Sequence, residues 1–137
     1  PVDFDYVVDA IDTVSSKLLL IEKCTEANTP IISCMGTGNH LDPSKFAITD
    51  INKTSVCPLA RVMRLELKKR GIKKLKVIFS TEQPIKPETD EKLLEEEKEK
   101  GSSRRQIPAS ISFVPSAMGL VIAGAVVRNI IKAEGDA

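Results

Sequence analysis

The sequence predicts an α/β fold in which parallel strands continue into a mixed or antiparallel sheet with flanking helices. An apolar, β-branched run at residues 6–12 is typical of a buried strand. A helical pattern follows, and residues 31–35 form a second apolar run. This strand-helix-strand unit, about 31 residues long, has the size of a right-handed crossover between parallel strands. Residues 45–51 alternate between polar and apolar side chains, so we expect a strand with one polar face where the sheet turns antiparallel.

Local signals place the helices and the remaining strand. Thr13 or Ser15 can cap the first helix, which is expected to stop at residues 28–30, where Asn and then Pro follow its apolar stripe. Pro58 suits the first turn of a second helix, and Gly71 is a plausible stop for it. Residues 76–80, with three consecutive apolar side chains at their centre, then predict another strand.

The last third of the chain is predicted to hold a charged excursion and a final helix. Residues 84–106 are rich in Glu and Lys and are expected to be a mobile excursion within the single domain, residues 1–137. Residues 111–115 are expected to be extended, with Ser116 capping the helix that follows. The apolar stretch 118–131 contains two Gly, an Arg and an Asn, and it falls short of the roughly 20 residues that span a bilayer. It predicts a core helix and no membrane segment.

Composition narrows the class of protein. The 137 residues, 42% hydrophobic and 28% charged, suffice for one ordinary domain. A net charge of +1 means that any attraction to nucleic acid must be local. Three cysteines without a C-x-x-C pair argue against zinc and for the reducing cytoplasm. Residues 1–5 show neither an initiator Met nor a signal-peptide pattern, so we expect a piece of a longer protein.

Two acidic residues bracket the end of the first predicted strand. Asp9 and Asp12 fall near the sheet edge that also carries the turn at residues 36–38, and ligands of open α/β sheets bind at that edge. A carboxylate there suits Mg²⁺, which prefers one or two carboxylates together with phosphate oxygens. The alternative is that Asp12 only caps the following helix.

Five segments carry a resemblance that covers nearly the whole chain except the charged excursion. They are DAIDTV at 9–14 followed by Lys17, MGTGN at 35–39, DINKTSVCPLA at 50–60, FSTEQP at 79–84 and SISFVPSAMGL at 110–120. Their order and spacing resemble the ThiF/MoeB/HesA superfamily of ubiquitin-activating-enzyme-like proteins, and within it the tRNA threonylcarbamoyladenosine dehydratase branch. The chain is similar to the C-terminal part of a Rossmann-like ThiF-type domain. The glycine-rich ATP-binding half of such a domain has no counterpart here.

The resemblance implies an activity and a set of site residues. Asp12 matches the acid that holds Mg²⁺ on ATP, and Asp9 and Thr13 flank that pocket. Members of the superfamily activate a carboxylate as an acyl adenylate. In the dehydratase branch, the acid belongs to a modified base of tRNA and closes a ring with loss of AMP. The resemblance implies three partners: the missing half of the same chain, tRNA, and a second copy in a homodimer. The isolated chain is expected to be inactive.

Cys57 and His40 are further candidates. Some superfamily members use a cysteine as acceptor, and Cys57 lies at a predicted helix N-terminus, where a thiolate is favoured. The alternative is a small buried thiol that packs beside Pro58. His40, the only histidine, follows the Gly-Thr-Gly turn, and we expect it on the surface or at a pocket rim rather than as a general base.

A basic segment suggests contact with RNA. Residues 61–76 contain eight Lys or Arg against one Glu, and Arg61, Arg64 and Lys68, with Lys69 beside them, recur at helical spacing. This stripe could follow tRNA phosphates. It is equally compatible with a solvated helix face, since no aromatic residue is interleaved for base stacking.

Two other functions remain open from the sequence. The first is an adenylyltransferase that activates a ubiquitin-like sulfur carrier for thiamin or molybdenum-cofactor synthesis, which the missing C-x-x-C pairs disfavour. The second is a non-catalytic module for RNA docking or dimerisation.

Overall fold

The computed structural model describes residues 3–86, 95–96, 99 and 109–135. Its strands are β1 (Val7–Asp9), β2 (Ile31–Cys34), β3 (Phe46–Asp50) and β4 (Lys76–Ser80). Its α-helices are α1 (Val14–Glu26), α2 (Pro58–Lys69) and α3 (Phe113–Gly135), and a 3₁₀ turn, Ile51–Lys53, follows β3. The predicted excursion at 84–106 lies almost entirely outside the described residues.

The four strands form one mixed sheet in the order β1-β2-β4-β3. β2 is parallel to both β1 and β4, whereas β3 is antiparallel to β4. The crossover from β1 through α1 to β2 and the antiparallel turn of the sheet confirm the predicted α/β class. β1, bonded on one side only, is an edge of the described sheet.

Helices cover both faces of the sheet. On one face, α1 and α2 bury a cluster that includes Ile21, Met63 and Leu67 against Val77 and Phe79 of β4. On the other face, Met118 and Ile122 of α3 pack against Ile32 and Ile78. Neighbouring residues of β4 thus face opposite layers, as the twofold period of a strand requires. The three consecutive apolar residues at the centre of β4, residues 77–79, reflect burial on both sides.

The helix boundaries follow backbone chemistry. Asn28 adopts φ 53° just after α1, and the Thr29 amide donates to the Cys24 carbonyl over 2.9 Å. Gly71 adopts φ 70° after α2, and the Ile72 amide donates to the Leu67 carbonyl over 3.0 Å. Both stops are left-handed C-terminal caps, which glycine and asparagine tolerate best. The predicted ends of both helices are confirmed.

Two boundaries differ from the prediction. β1 ends at Asp9 rather than Asp12, because the Asp9 carboxylate accepts a hydrogen bond from the Ile11 amide over 2.9 Å and turns the chain. α3 already begins at Phe113, so the expected extended piece at 111–115 is wrong. Pro115 sits in the first turn, where its missing N–H costs no helical bond. Ser116 therefore lies inside the helix, and its hydroxyl donates to the Ser112 carbonyl over 2.6 Å.

α3 buries only one of its sides. Val114, Met118, Ile122 and Ala125 are buried, as the core-helix prediction required. The opposite side leaves Leu120, Val127 and Ile131 exposed. Within the described residues, the segment Phe113–Lys132 is long and apolar enough to cross a membrane by length and composition alone, a property that core helices share.

Candidate functional site

A cleft of about 630 Å³ opens at the carboxyl ends of β1 and β2. Four parts of the chain line it: the loop after β1, the end of β2 with the loop that follows, Leu59 of α2, and the start of α3 with the residues just before it. Its lining residues are Ala10, Ile11, Asp12, Cys34, Met35, Gly36, Thr37, Gly38, Leu59, Ala109, Ser110, Pro115, Met118 and Gly119. The cleft occupies the sheet edge at which α/β proteins bind their ligands.

Asp12 is the one ionisable acid in this lining. Its side chain is exposed, and no hydrogen bond or ion pair to it is formed among the described residues. Thr13, not Asp12, is the N-cap residue of α1, and no side-chain cap bond forms there. The capping alternative for Asp12 therefore finds no support, and its carboxylate is free to face a cation.

The backbone around the cleft leaves room for a ligand. A Cβ atom built on Gly36 or Gly119 would meet no other atom within 4 Å. The far wall is fastened by Asn39, whose amide donates to the Ala109 carbonyl over 2.7 Å and whose side-chain oxygen accepts from the Ala109 amide over 3.1 Å. These two bonds hold the start of the α3 segment against the loop after β2.

Behind the cleft lies a buried charged cluster. Asp9 and Lys17 are both fully buried, and their carboxylate and ammonium groups are 2.9 Å apart. The Ser33 hydroxyl also donates to the Asp9 carboxylate, from the position directly opposite on β2. Asp9 thus does not line the cleft, and Thr13, although exposed, does not line it either. Of the three predicted nucleotide-binding residues, only Asp12 faces the cleft.

The cysteines divide between core and cleft. Cys24 is fully buried, and burial together with the negative charge of Asp9 raises its pKa. Cys34 lines the cleft instead of lying wholly in the core. Burial raises the pKa of the Cys34 thiol, partly opposed by Lys17. All three cysteines are free thiols.

Cys57 is the N-cap residue of α2. Its Sγ accepts a hydrogen bond from the Ala60 amide over 3.4 Å, and its side chain is only 7% exposed. Val56, just before it, adopts φ 49°, which a β-branched residue rarely tolerates. The thiol is therefore engaged in a cap and packed in the α1–α2 core cluster.

His40 is buried and so does not lie on the surface, one of the two expected positions, but it does line a small pocket. The ring Nε2 lies 3.1 Å from the Glu82 carbonyl, and the side chain is 5% exposed. The Glu82 carboxylate accepts hydrogen bonds from the Leu41 and Asp42 amides over 3.1 and 3.0 Å. His40 and Glu82 together fasten the loop between β2 and β3 to the end of β4.

The basic residues of α2 do not form one uniform stripe. Arg61 and Arg64 line a groove of about 760 Å³ with Lys86. Arg64 also donates to Thr54, and with Lys68 it borders a second groove beside the 3₁₀ turn. Lys69 instead pairs with Glu66 over 3.1 Å. Three of the four predicted RNA-binding residues therefore line grooves, namely Arg61, Arg64 and Lys68.

Two features of the site escaped the sequence reasoning. The first is the burial of Lys17, which lies on the buried face of α1 with Ile21 and Cys24. A lysine in the helical spacing of the apolar residues is the sequence pattern that could have indicated it. The residues from α3 in the cleft lie far along the chain from Asp12, so only the fold unites them. Among the described residues, no group of three or more His, Cys, Asp or Glu comes close enough to hold a metal. A cation at Asp12 would need ligand oxygens from another source.

Comparison with known proteins defines the class. No protein-family model matches the chain. A tRNA threonylcarbamoyladenosine dehydratase of Bacillus subtilis is 43% identical over 135 residues, which is 93% of this chain and 51% of that protein. A crystal structure of the Escherichia coli tRNA N6-threonylcarbamoyladenosine dehydratase TcdA with AMP superposes with a TM-score of 0.76 at 29% identity, and its ATP complex with 0.75 at 29%. Both alignments cover 97% of this chain and 51% of the other.

The fold and these matches define a ThiF-type α/β protein. The chain belongs to the ThiF-like family, and the members it resembles are the tRNA threonylcarbamoyladenosine dehydratases. It spans about half the length of these curated relatives.

Proposed function

We propose that this chain is part of an ATP-dependent tRNA threonylcarbamoyladenosine dehydratase, and that its cleft is one side of the adenylation site. The enzyme would activate the carboxylate of the modified base as an acyl adenylate and cyclise the base with release of AMP. The observation that carries the proposal is the exposed Asp12 carboxylate in a 630 Å³ cleft at the ligand-binding edge of the sheet. The ATP and AMP complexes of the Escherichia coli relative support it.

Asp12 is the residue that would hold Mg²⁺. A single carboxylate suits this ion, because Mg²⁺ keeps several waters and takes most other ligands from phosphate oxygens. When bound, Mg²⁺ would neutralise negative charge on the phosphates during attack at the α-phosphate. The Asp12 carboxylate would fix where that positive charge lies.

The apolar part of the cleft has its own role. Met35, Leu59 and Met118 line it beside Asp12. Such side chains exclude water, and a reactive acyl adenylate survives only where water is kept away. The nitrogen that closes the ring belongs to the same substrate side chain, so proximity supplies the nucleophile and no protein cysteine is required.

The basic grooves of α2 suit the RNA. Leu59 lines the cleft and Pro58 lines the groove that holds Arg61, so adjacent residues at the start of α2 border both openings. Arg61, Arg64 and Lys68 would contact backbone phosphates while the modified base enters the cleft. A tRNA substrate agrees with the cytoplasmic location expected from the sequence. The homodimer stays a prediction.

The proposal is tested by Asp12→Asn in a protein of the relatives' full length that carries this chain. AMP release from Mg²⁺·ATP is measured with tRNA that contains threonylcarbamoyladenosine. We expect a loss of about 100-fold or more, the effect of removing one charge-stabilising contact. Asp5→Asn, at the other end of β1, is the matched control and should keep full activity. Activity of Asp12→Asn within threefold of the unchanged protein, or AMP release driven only by a ubiquitin-like carrier, would refute the proposal.

A further inference from the structure

The charged pair of Asp9 and Lys17 requires an explanation beyond stability. Both side chains are inaccessible to solvent, with exposures of 0% and 1%. Removing two charges from water costs several kcal/mol each, and well-packed apolar side chains of similar size often stabilise a core equally well or better. A lysine on the buried stripe of α1, where Ile21 and Cys24 also point inward, is thus not the most stabilising choice.

The pair forms hydrogen bonds with both backbone polar groups of one cleft residue, Ile11. The Asp9 carboxylate accepts a hydrogen bond from the Ile11 amide over 2.9 Å, and the Lys17 ammonium donates to the Ile11 carbonyl over 3.0 Å. Ile11 is therefore held by both of its backbone polar groups. The Ile11 carbonyl belongs to the peptide unit that continues into Asp12. Its orientation sets where the Asp12 Cα and carboxylate emerge into the cleft.

The loop has few other constraints. Within the described residues, the Asp12 side chain makes no hydrogen bond, and Thr13 makes no side-chain cap bond. The Lys17 amide donates to the Thr13 carbonyl over 2.9 Å, which begins α1 after the loop. The buried pair links β1 and α1 through side-chain contacts that also include the Ile11 backbone.

We propose that Lys17 and Asp9 are positioning residues for Asp12. They fix the peptide before Asp12 and so pre-organise its carboxylate for Mg²⁺·ATP. The inference rests on the proposed function and deepens it. Neither side chain touches the nucleotide, and both act through the backbone of Ile11. Outer contacts that orient metal ligands are typically worth 10–100-fold in metal affinity.

The test compares three variants of the full-length protein. Lys17→Met removes the ammonium, and Asp9→Asn/Lys17→Met replaces the pair with neutral groups that no longer bury a charge. Ser33→Ala is the matched control, because it also removes a contact of the Asp9 carboxylate but leaves Ile11 untouched. The Mg²⁺ concentration for half-maximal AMP release, the unfolding midpoint, and hydrogen exchange of the amides at residues 10–13 are measured for each.

We expect both Lys17 variants to raise the half-saturating Mg²⁺ concentration about tenfold or more. Exchange at residues 10–13 should be faster in both variants. The double variant should recover stability without recovering Mg²⁺ affinity, whereas Ser33→Ala should lose stability and keep Mg²⁺ affinity. If Mg²⁺ affinity follows stability in all three, the pair is structural and the inference is overturned. Asp12→Asn distinguishes failure of this inference from failure of the proposed function. If Asp12→Asn does not change AMP release, the proposed function fails. If Asp12→Asn lowers AMP release but the Lys17 variants do not change the Mg²⁺ requirement, only the positioning role fails.

Discussion

Substitution of Cys57 distinguishes a helix cap from a nucleophile. The thiol caps α2 through a long contact, 3.4 Å from Sγ to the Ala60 amide, and it is 7% exposed. Sulfur is a weak acceptor, so this bond is worth less than an oxygen cap. Serine is among the best N-cap residues, and its loss to alanine costs about 1 kcal/mol.

The energies follow from these contacts. Cys57→Ser gains a stronger cap but buries a more polar group, and burying a hydroxyl with partial compensation costs about 0.5–2 kcal/mol. The two effects offset each other, so the free energy of unfolding should change by less than about 1 kcal/mol. Cys57→Ala loses the cap and should unfold about 1 kcal/mol more easily than Cys57→Ser.

The assay combines urea denaturation with AMP release by the full-length protein. Both variants should release AMP within threefold of the unchanged rate, because ring closure uses a nucleophile of the substrate itself. Loss of a true nucleophile costs orders of magnitude in rate. A Cys57→Ser variant that keeps its unfolding midpoint but loses activity a thousandfold would refute the capping interpretation and restore Cys57 as a catalytic candidate.

Three further predictions concern backbone strain, pH and RNA. Val56→Asn should raise the free energy of unfolding by about 1 kcal/mol, because a φ of 49° strains valine but suits asparagine. The measurement is a urea titration. Val56→Ala, which keeps much of the strain, is the control in that titration. Burial alone would raise the pKa of Asp50, but hydrogen bonds from the Asn52 and Leu75 amides lower it. Asp50 therefore stabilises the fold above its unfolded pKa and loses this contribution as pH falls through the folded pKa. Asp50→Asn should cost about 1 kcal/mol at pH 7, and a stability difference that persisted unchanged below about pH 3 would contradict this. Arg61→Glu should weaken tRNA binding about tenfold at low salt. Lys23→Glu on α1, which changes the charge by the same amount, is the control and should weaken binding less. Equal losses of affinity in the two variants would refute the assignment of α2 as the RNA-binding surface.

Local patterns predicted much of this fold because they report local physics. The asparagine and glycine that end α1 and α2 adopt left-handed backbone angles, which their side chains, or lack of one, make inexpensive. The unbroken apolar run of β4 reflects helices on both faces. The start of α3 is hard to place from the sequence, because Pro115 is compatible both with an extended segment and with the first turn of a helix.

The site was only partly accessible to such reasoning. Asp12 could be chosen because it follows a strand and matches a motif. Its partners in the cleft wall, Met118 and Gly119, come from the other end of the chain, and no periodicity links them to Asp12. The burial of His40 depends on Glu82 at the end of β4, a tertiary contact without a sequence signal.

The order of the strands has a consequence for how the chain folds. β4 lies between β2 and β3, although it is made after both, so β3 has no neighbour in the described sheet until β4 arrives. The contacts that join the two halves of the sheet are all distant in sequence, and such contacts form slowly because a long loop must close first. During synthesis, the unit of β1, α1 and β2 would therefore form first, and one edge of β2 would lack a hydrogen-bonded neighbour until β4 is made. The cleft in front of β1 and β2 can take its final shape only after that side has been filled.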